Sequence, residues 1–128
     1  MMKTISTYTH GLLDYIAGII LILAPNLFGF EDLNGPPVAV CRVFGIIFVV
    51  QALFTNYELG IFRIIPLRLH LFVDYLLSII LAASPWIFGF YVRSDNVWVP
   101  HLVIGCVYFV ITSMTRTTSR VIPIRRQA

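Results

Sequence analysis

The chain has 128 residues, of which 59% are apolar and 12% charged, against about 45–50% and about 25% in ordinary soluble domains. That length allows one domain, or two half-domains that fold together, and a mean hydropathy of +0.89 excludes an ordinary soluble globule in favour of a membrane-embedded protein. The net charge of +3 forms no basic patch of the kind nucleic acid needs, so no nucleic-acid partner is expected.

Four stretches reach the roughly 20 mostly apolar residues that cross a bilayer core. The first covers residues 8–25 and carries His10, Asp14 and Tyr15. Lys3 precedes it as in a signal peptide, but no small-x-small cleavage site follows, so it is expected to be retained. Pro25 pushes the residue before it out of the helical region, and the helix is expected to end or kink at Ala24. Phe28-Gly29-Phe30 then forms an aromatic turn at the outer interface, and the loop from Glu31 to Pro37 is turn chemistry, with Pro37 opening the second helix.

The second span, 37–56, places Cys41 near its outer end. Arg42 lies one turn in, where it snorkels outward or pairs with Glu31 or Asp32. The linker 57–65 is expected to lie as an amphipathic turn on the inner membrane surface. The third span, 66–84, carries His70, Asp74 and Tyr75, then Ser84-Pro85-Trp86. Serine is a preferred N-cap and proline a preferred first helical residue, so this tripeptide is read as ending one helix at Ser84 and starting a short second one. Trp86, Phe88 and Phe90 are assigned to the outer interface, with Gly89 making the turn. The fourth span, 97–115, begins with His101 beside Trp98 and Pro100, read as an interfacial side chain. Cys41 and Cys106 are read as small buried apolar residues, and with no Cys/His spacing of the zinc type no metal is expected. The basic tail, 116–128, is expected in the cytoplasm, where anionic lipid attracts it.

The spans are not independent. Residues 10–30 return at 70–90 without a gap, with ten of twenty-one positions identical. The identities include His10/His70, Asp14/Asp74, Tyr15/Tyr75, Pro25/Pro85 and Phe28-Gly29-Phe30/Phe88-Gly89-Phe90. The register continues more weakly through Val43/Val103, Gly45/Gly105, Val50/Val110 and Thr55/Thr115. Such self-similarity marks a duplicated supersecondary unit. The expected architecture is therefore all-α, a single polytopic four-helix membrane bundle (residues 1–128) of two tandem, parallel two-helix repeats. Repeat one covers about 8–56 and repeat two about 66–115. A two-span unit returns the chain to its starting side, so the repeats are related by a pseudo-two-fold axis along the membrane normal. Small residues at Gly18/Ser78 and Gly45/Gly105 let backbones approach.

Lys3, Arg63, Arg68, Arg116, Arg120, Arg125 and Arg126 fall at one end of this topology, and Arg42 and Arg93 at the other. The positive-inside rule then puts both termini and the linker in the cytoplasm.

With Ser84-Pro85-Trp86 set in a duplicated two-span unit, flanked by His70, Asp74, Tyr75 and Phe88-Gly89-Phe90, the chain resembles the SPW-repeat family of small bacterial and archaeal membrane proteins. The resemblance covers about residues 10–115 and departs at Ala24 and Asn26, which replace Ser and Trp in the first copy. It implies a two-helix unit and a prokaryotic cytoplasmic (inner) membrane location, and brings no catalytic residues.

The candidate functional groups are His10, Asp14, Tyr15 and their copies His70, Asp74 and Tyr75. Residues four apart share a helix face, and Asp14 lies about 6 Å deeper than His10 at 1.5 Å per residue. A carboxylate at that depth must face the bundle, pair or take up a proton. Gln51, Thr112, Asn56 and Arg116 lie at similar depth on the antiparallel spans. In the first reading each Asp accepts bonds from its own helix's His and from polar neighbours, pinning the units together in a non-enzymatic structural or partner-binding module. In the second, Asp14 and Asp74 serve a small proton-coupled carrier or channel subunit. In the third, His10 and His70 hold a haem between the first and third spans; otherwise no cofactor is expected. A His/Asp metal site across the axis is the least expected. The expected partners are the bilayer itself and a second copy or another membrane protein. No phosphate loop, nucleophile elbow or triad spacing argues for an enzyme.

Overall fold

The computed structural model describes residues 3–119. They form four helices: α1 (Thr7–Leu27), α2 (Pro36–Phe54), α3 (Leu67–Ile87) and α4 (Asp95–Met114). Each is long and apolar enough to cross a membrane, and no β-strand occurs among the described residues. Arg120, Arg125 and Arg126 lie outside those residues.

Local chemistry fixes the helix starts. Ser6 caps α1 by accepting the Thr9 amide at 3.1 Å, proline occupies the first positions of α2, and Asp95 in the first turn of α4 complements the helix dipole. α1 packs chiefly on α2 and α3 on α4, giving two hairpins. The glycines explain how closely they pack. A Cβ added at Gly45 would meet the Gly18 carbonyl oxygen at 2.6 Å, and one at Gly105 would meet the Ala82 amide at 2.5 Å. The helices of each hairpin thus touch backbone to backbone, as small residues permit in membrane packing.

The hairpins are joined by equivalent contacts at one end of the bundle. Ile5 donates its amide to Met114 and accepts that of Arg116, at 3.0 and 2.9 Å. Sixty positions on, Ile65 donates to Phe54 and accepts from Asn56, at 2.8 and 2.9 Å. The core follows the same symmetry: Leu21 and Leu81 are fully buried, and the rings of Phe48 and Tyr108 meet at 4.5 Å. Outside lie Ile16, Ile19, Ile79, Val103 and Val107, all exposed. Continuous apolar surface of this kind is foreign to a soluble monomer and suits lipid. The protein is a multi-pass membrane protein.

Several expectations are corrected. The helices do not stop at Ala24 and Ser84; Pro25 and Pro85 lie inside the last turn of α1 and α3. Proline removes the amide that would bond the carbonyl four residues back, which for Pro85 is that of Leu81. The Ser84 hydroxyl donates to that carbonyl at 2.7 Å, replacing the missing donor rather than capping a new helix. The turn after each proline uses left-handed glycine, with φ of 75° at Gly29 and 76° at Gly89, where a side chain would be strained. A short 3-10 turn, Phe90–Val92, follows Gly89. Trp86, Phe28 and Phe88 face outward, but Phe30 and Phe90 belong to the core.

Arg42 is exposed, in keeping with the outward alternative expected of it, and its side chain reaches Asn26 at 3.4 Å rather than Glu31 or Asp32. Cys41 is buried, but Cys106 is exposed, on the side of α4 that lies away from the axis. The linker is two-faced, as an amphipathic turn requires. Tyr57 is fully buried under the bundle while Ile61, Phe62 and Ile64 point outward, so its two faces divide between the core and the outside.

Candidate functional site

The shared face of His10 and Asp14 on α1 meets that of His70 and Asp74 on α3, and all four side chains have zero exposure. The pairing is crossed. His10 Nε2 lies 2.8 Å from Asp74 Oδ2 and 3.2 Å from Asp14 Oδ1 on its own helix. His70 Nε2 lies 3.0 Å from Asp14 Oδ2 and 3.0 Å from Asp74 Oδ2. The imidazole centroids are 5.6 Å apart, edge to face. Each Asp therefore serves the other hairpin's His at least as closely as its own, so the same-helix pairs expected are present and cross-hairpin pairs are added to them.

The outer contacts determine which atoms carry protons. Thr115 Oγ1 donates to the Ile111 carbonyl at 2.7 Å and lies 2.7 Å from His10 Nδ1. Having one proton, already committed to the helix, it must accept from the ring, so Nδ1 of His10 is an N–H. Thr55 Oγ1 likewise donates to the Gln51 carbonyl and lies 2.6 Å from His70 Nδ1, also at 2.6 Å from its acceptor. Both imidazoles thus turn Nε2 toward the carboxylates. Each hairpin's threonine orients the other hairpin's histidine.

The carboxylates are held as well. Gln51 donates its side-chain amide to Asp74 Oδ1, and Tyr57 donates to Asp14 Oδ2 at 2.7 Å. Burial, with the Asp14 carboxylate alongside, pushes the Tyr57 hydroxyl above its ordinary pKa, so it stays a donor. Two atoms are left over. Asp14 Oδ1 and His70 Nε2 are buried without an aligned hydrogen bond: the His70 ring lies within ion-pair distance of both carboxylates but its Nε2 points squarely at neither.

Other expected participants stand apart. Tyr15 donates to the Leu59 carbonyl at 2.9 Å, and Tyr75 packs on Phe109 at 5.3 Å. Arg116 is exposed, while Asn56 Oδ1 and Thr112 Oγ1 are buried without a partner. Thr55 and Thr115 gave a sequence signal through their repeat register. Tyr57 gave none, since Thr117 occupies the equivalent position.

A second polar contact lies toward the other end of the axis. His101, expected at the interface, is fully buried. Its Nδ1 lies 2.8 Å from the Val97 carbonyl, and its Nε2 is 3.0 Å from the Pro37 carbonyl and 3.2 Å from Cys41 Sγ. Cys41 is its repeat counterpart, so the two meet where the pseudo-axis passes. Phe30 and Phe90 cover the ring, with centroids at 5.9 and 4.7 Å.

Chemically, the four-residue cluster can hold protons or a small cation. A haem between His10 and His70 would have to displace both carboxylates, so the arrangement suits a small ligand better than a macrocycle. The family described as SPW repeat domain matches residues 8–115. No curated protein and no solved structure matches the chain significantly.

Proposed function

The chain belongs to the SPW-repeat family, and from that premise we propose a non-enzymatic membrane module whose crossed His/Asp cluster locks its two hairpins together. The observation that carries this reading is the burial of His10, Asp14, His70 and Asp74 at zero exposure in one network contributed by both halves. A proton-coupled carrier would need its carboxylates to meet water in turn. Here Tyr57 and the linker lie directly beneath Asp14, which favours a closed lock over a relay.

The module is proposed to sit in a prokaryotic cytoplasmic membrane with both termini inside. Lys3, Arg63, Arg68 and Arg116 at one end, against Arg42 and Arg93 at the other, support that orientation. Its apolar outer faces are proposed to pack on a second copy or on another membrane protein.

The test pairs Asp14→Asn with Asp74→Asn. A lock predicts a loss of about 3–5 kcal/mol of stability in detergent and no pH-driven flux through the wild-type protein in liposomes. A wild-type flux abolished in a variant that remains folded would replace the lock with the proton-coupled reading.

A further inference from the structure

We propose that the cluster is a closed binding site for one divalent d-block cation, with His10 and His70 giving Nε2 and Asp14 and Asp74 each giving one carboxylate oxygen. This rests on the lock reading, because the ligands are the residues that join the hairpins; the cation would be what closes the lock.

The ligand spacing is suitable. One donor atom from each residue lies within 4.8 Å of all the others. A tetrahedral ion with bonds of about 2.0–2.2 Å sets neighbouring ligands about 3.3–3.6 Å apart, between the 2.8 Å of the tightest His–Asp contact and that upper bound.

The leftover atoms point to the same conclusion. Asp14 Oδ1 and His70 Nε2 are buried donor-set atoms without aligned bonds, a costly arrangement in an apolar interior. A cation at the centre of the four residues would engage both. The outer contacts are those of a metal site as well. Ligating histidines usually donate their second ring N–H to an oxygen that fixes the tautomer, and ligating carboxylates are themselves hydrogen-bonded. Thr115 and Thr55 do the first, Tyr57 and Gln51 the second.

Charge selects the valence. Two carboxylates and two neutral imidazoles balance a divalent ion, so an M2+ replacing the two protons shared between the His and Asp pairs leaves the site neutral. Neutrality matters where an uncompensated charge is expensive. The donor set of two imidazole nitrogens and two carboxylate oxygens suits Zn2+ or a neighbouring d-block ion better than Mg2+ or Ca2+, which prefer oxygen alone. Enclosure on every side leaves no position for substrate, the mark of a structural rather than a catalytic centre.

The test uses the full chain, expressed with supplementary Zn2+, purified in detergent and exchanged exhaustively into metal-free buffer. Elemental analysis should find one zinc per folded chain, and none in the Asp14→Asn, Asp74→Asn double variant. Because that variant could unfold, two further measurements use proteins that keep every ligand. Refolding the wild type with Co2+ should give the visible bands of a tetrahedral site without a thiolate charge-transfer band, which separates this cluster from Cys41 and His101. Thr55→Val with Thr115→Val should weaken metal retention about ten- to a hundredfold, as loss of outer contacts does. A folded wild type that holds no stoichiometric metal after either treatment overturns the proposal, as does metal retained by a folded double Asp variant. If the wild type is metal-free yet the Asp substitutions still destabilise it, the lock survives and the cation does not. If they leave stability unchanged, the lock itself fails.

Discussion

Thr115 accepts the Nδ1 proton of His10 at 2.7 Å across 105 positions of the chain. The C-cap of the last helix thereby sets the ring orientation of a residue near the start of the first. Thr55 does the same for His70, and the exchange makes neither hairpin complete without the other. A helix-terminal threonine becomes part of the site because its hydroxyl first bonds its own helix and is left only with acceptor capacity.

Replacing either threonine by valine keeps the shape and removes the acceptor. A buried imidazole N–H left without a partner costs about 1–3 kcal/mol, and Thr55→Val and Thr115→Val should each lower stability by that amount in reversible detergent unfolding. Thr→Ser at the same sites should retain most of it. Equal stability of the valine and wild-type proteins would remove these hydroxyls from the network.

Ser84 supports the helix through Pro85 by donating to the Leu81 carbonyl. Leu81 is fully buried, so Ser84→Ala should strand an acceptor and cost about 1 kcal/mol. The first copy already lacks this donor at Ala24, where Pro25 leaves the Leu21 carbonyl in the same position. Ala24→Ser should therefore be neutral to stabilising. Compared by thermal unfolding, Ser84→Ala should lower the midpoint and Ala24→Ser should not.

Gly45 and Gly105 face backbone, not flexible side chains. An added methyl at Gly45 would meet the Gly18 oxygen and, at 2.8 Å, the Ile22 amide; at Gly105 it would meet the Ser78 oxygen at 2.7 Å. Gly45→Ala and Gly105→Ala should each destabilise by about 1–3 kcal/mol, the usual cost of overpacking. Gly29, with nothing within 4 Å of an added Cβ, should lose only about 1–2 kcal/mol on change to alanine, from its left-handed backbone. Cooperative unfolding of all three variants in one detergent gives the comparison.

The four spans and the duplication were legible because both are properties of the chain itself: hydropathy summed along a helix, and matched residues at a fixed offset. The same offset singled out His10, Asp14, His70 and Asp74. Their partners were not legible, since residues four apart on one helix always look paired, while crossing to the other hairpin depends on how closely α1 and α3 approach. Tyr57 escaped notice because a linker tyrosine has no periodic signature. His101 was placed at the interface by its position near a helix start, yet Phe30 and Phe90 enclose it at the axis. Pro25 and Pro85 misled because the clash with a following proline biases a residue away from the helical region without barring it, and Ala24 and Ser84 stay in their helices.

The central claim is that His10 and Asp74, from different hairpins, are directly coupled. A double-mutant cycle with His10→Gln and Asp74→Asn, measured by reversible unfolding in one detergent, tests it. Groups in contact within one network give interaction energies of about 0.5–3 kcal/mol, and this pair, at 2.8 Å and fully buried, should fall in the upper half of that range. Single-variant losses that simply add, to within about 0.5 kcal/mol, would contradict the crossed lock.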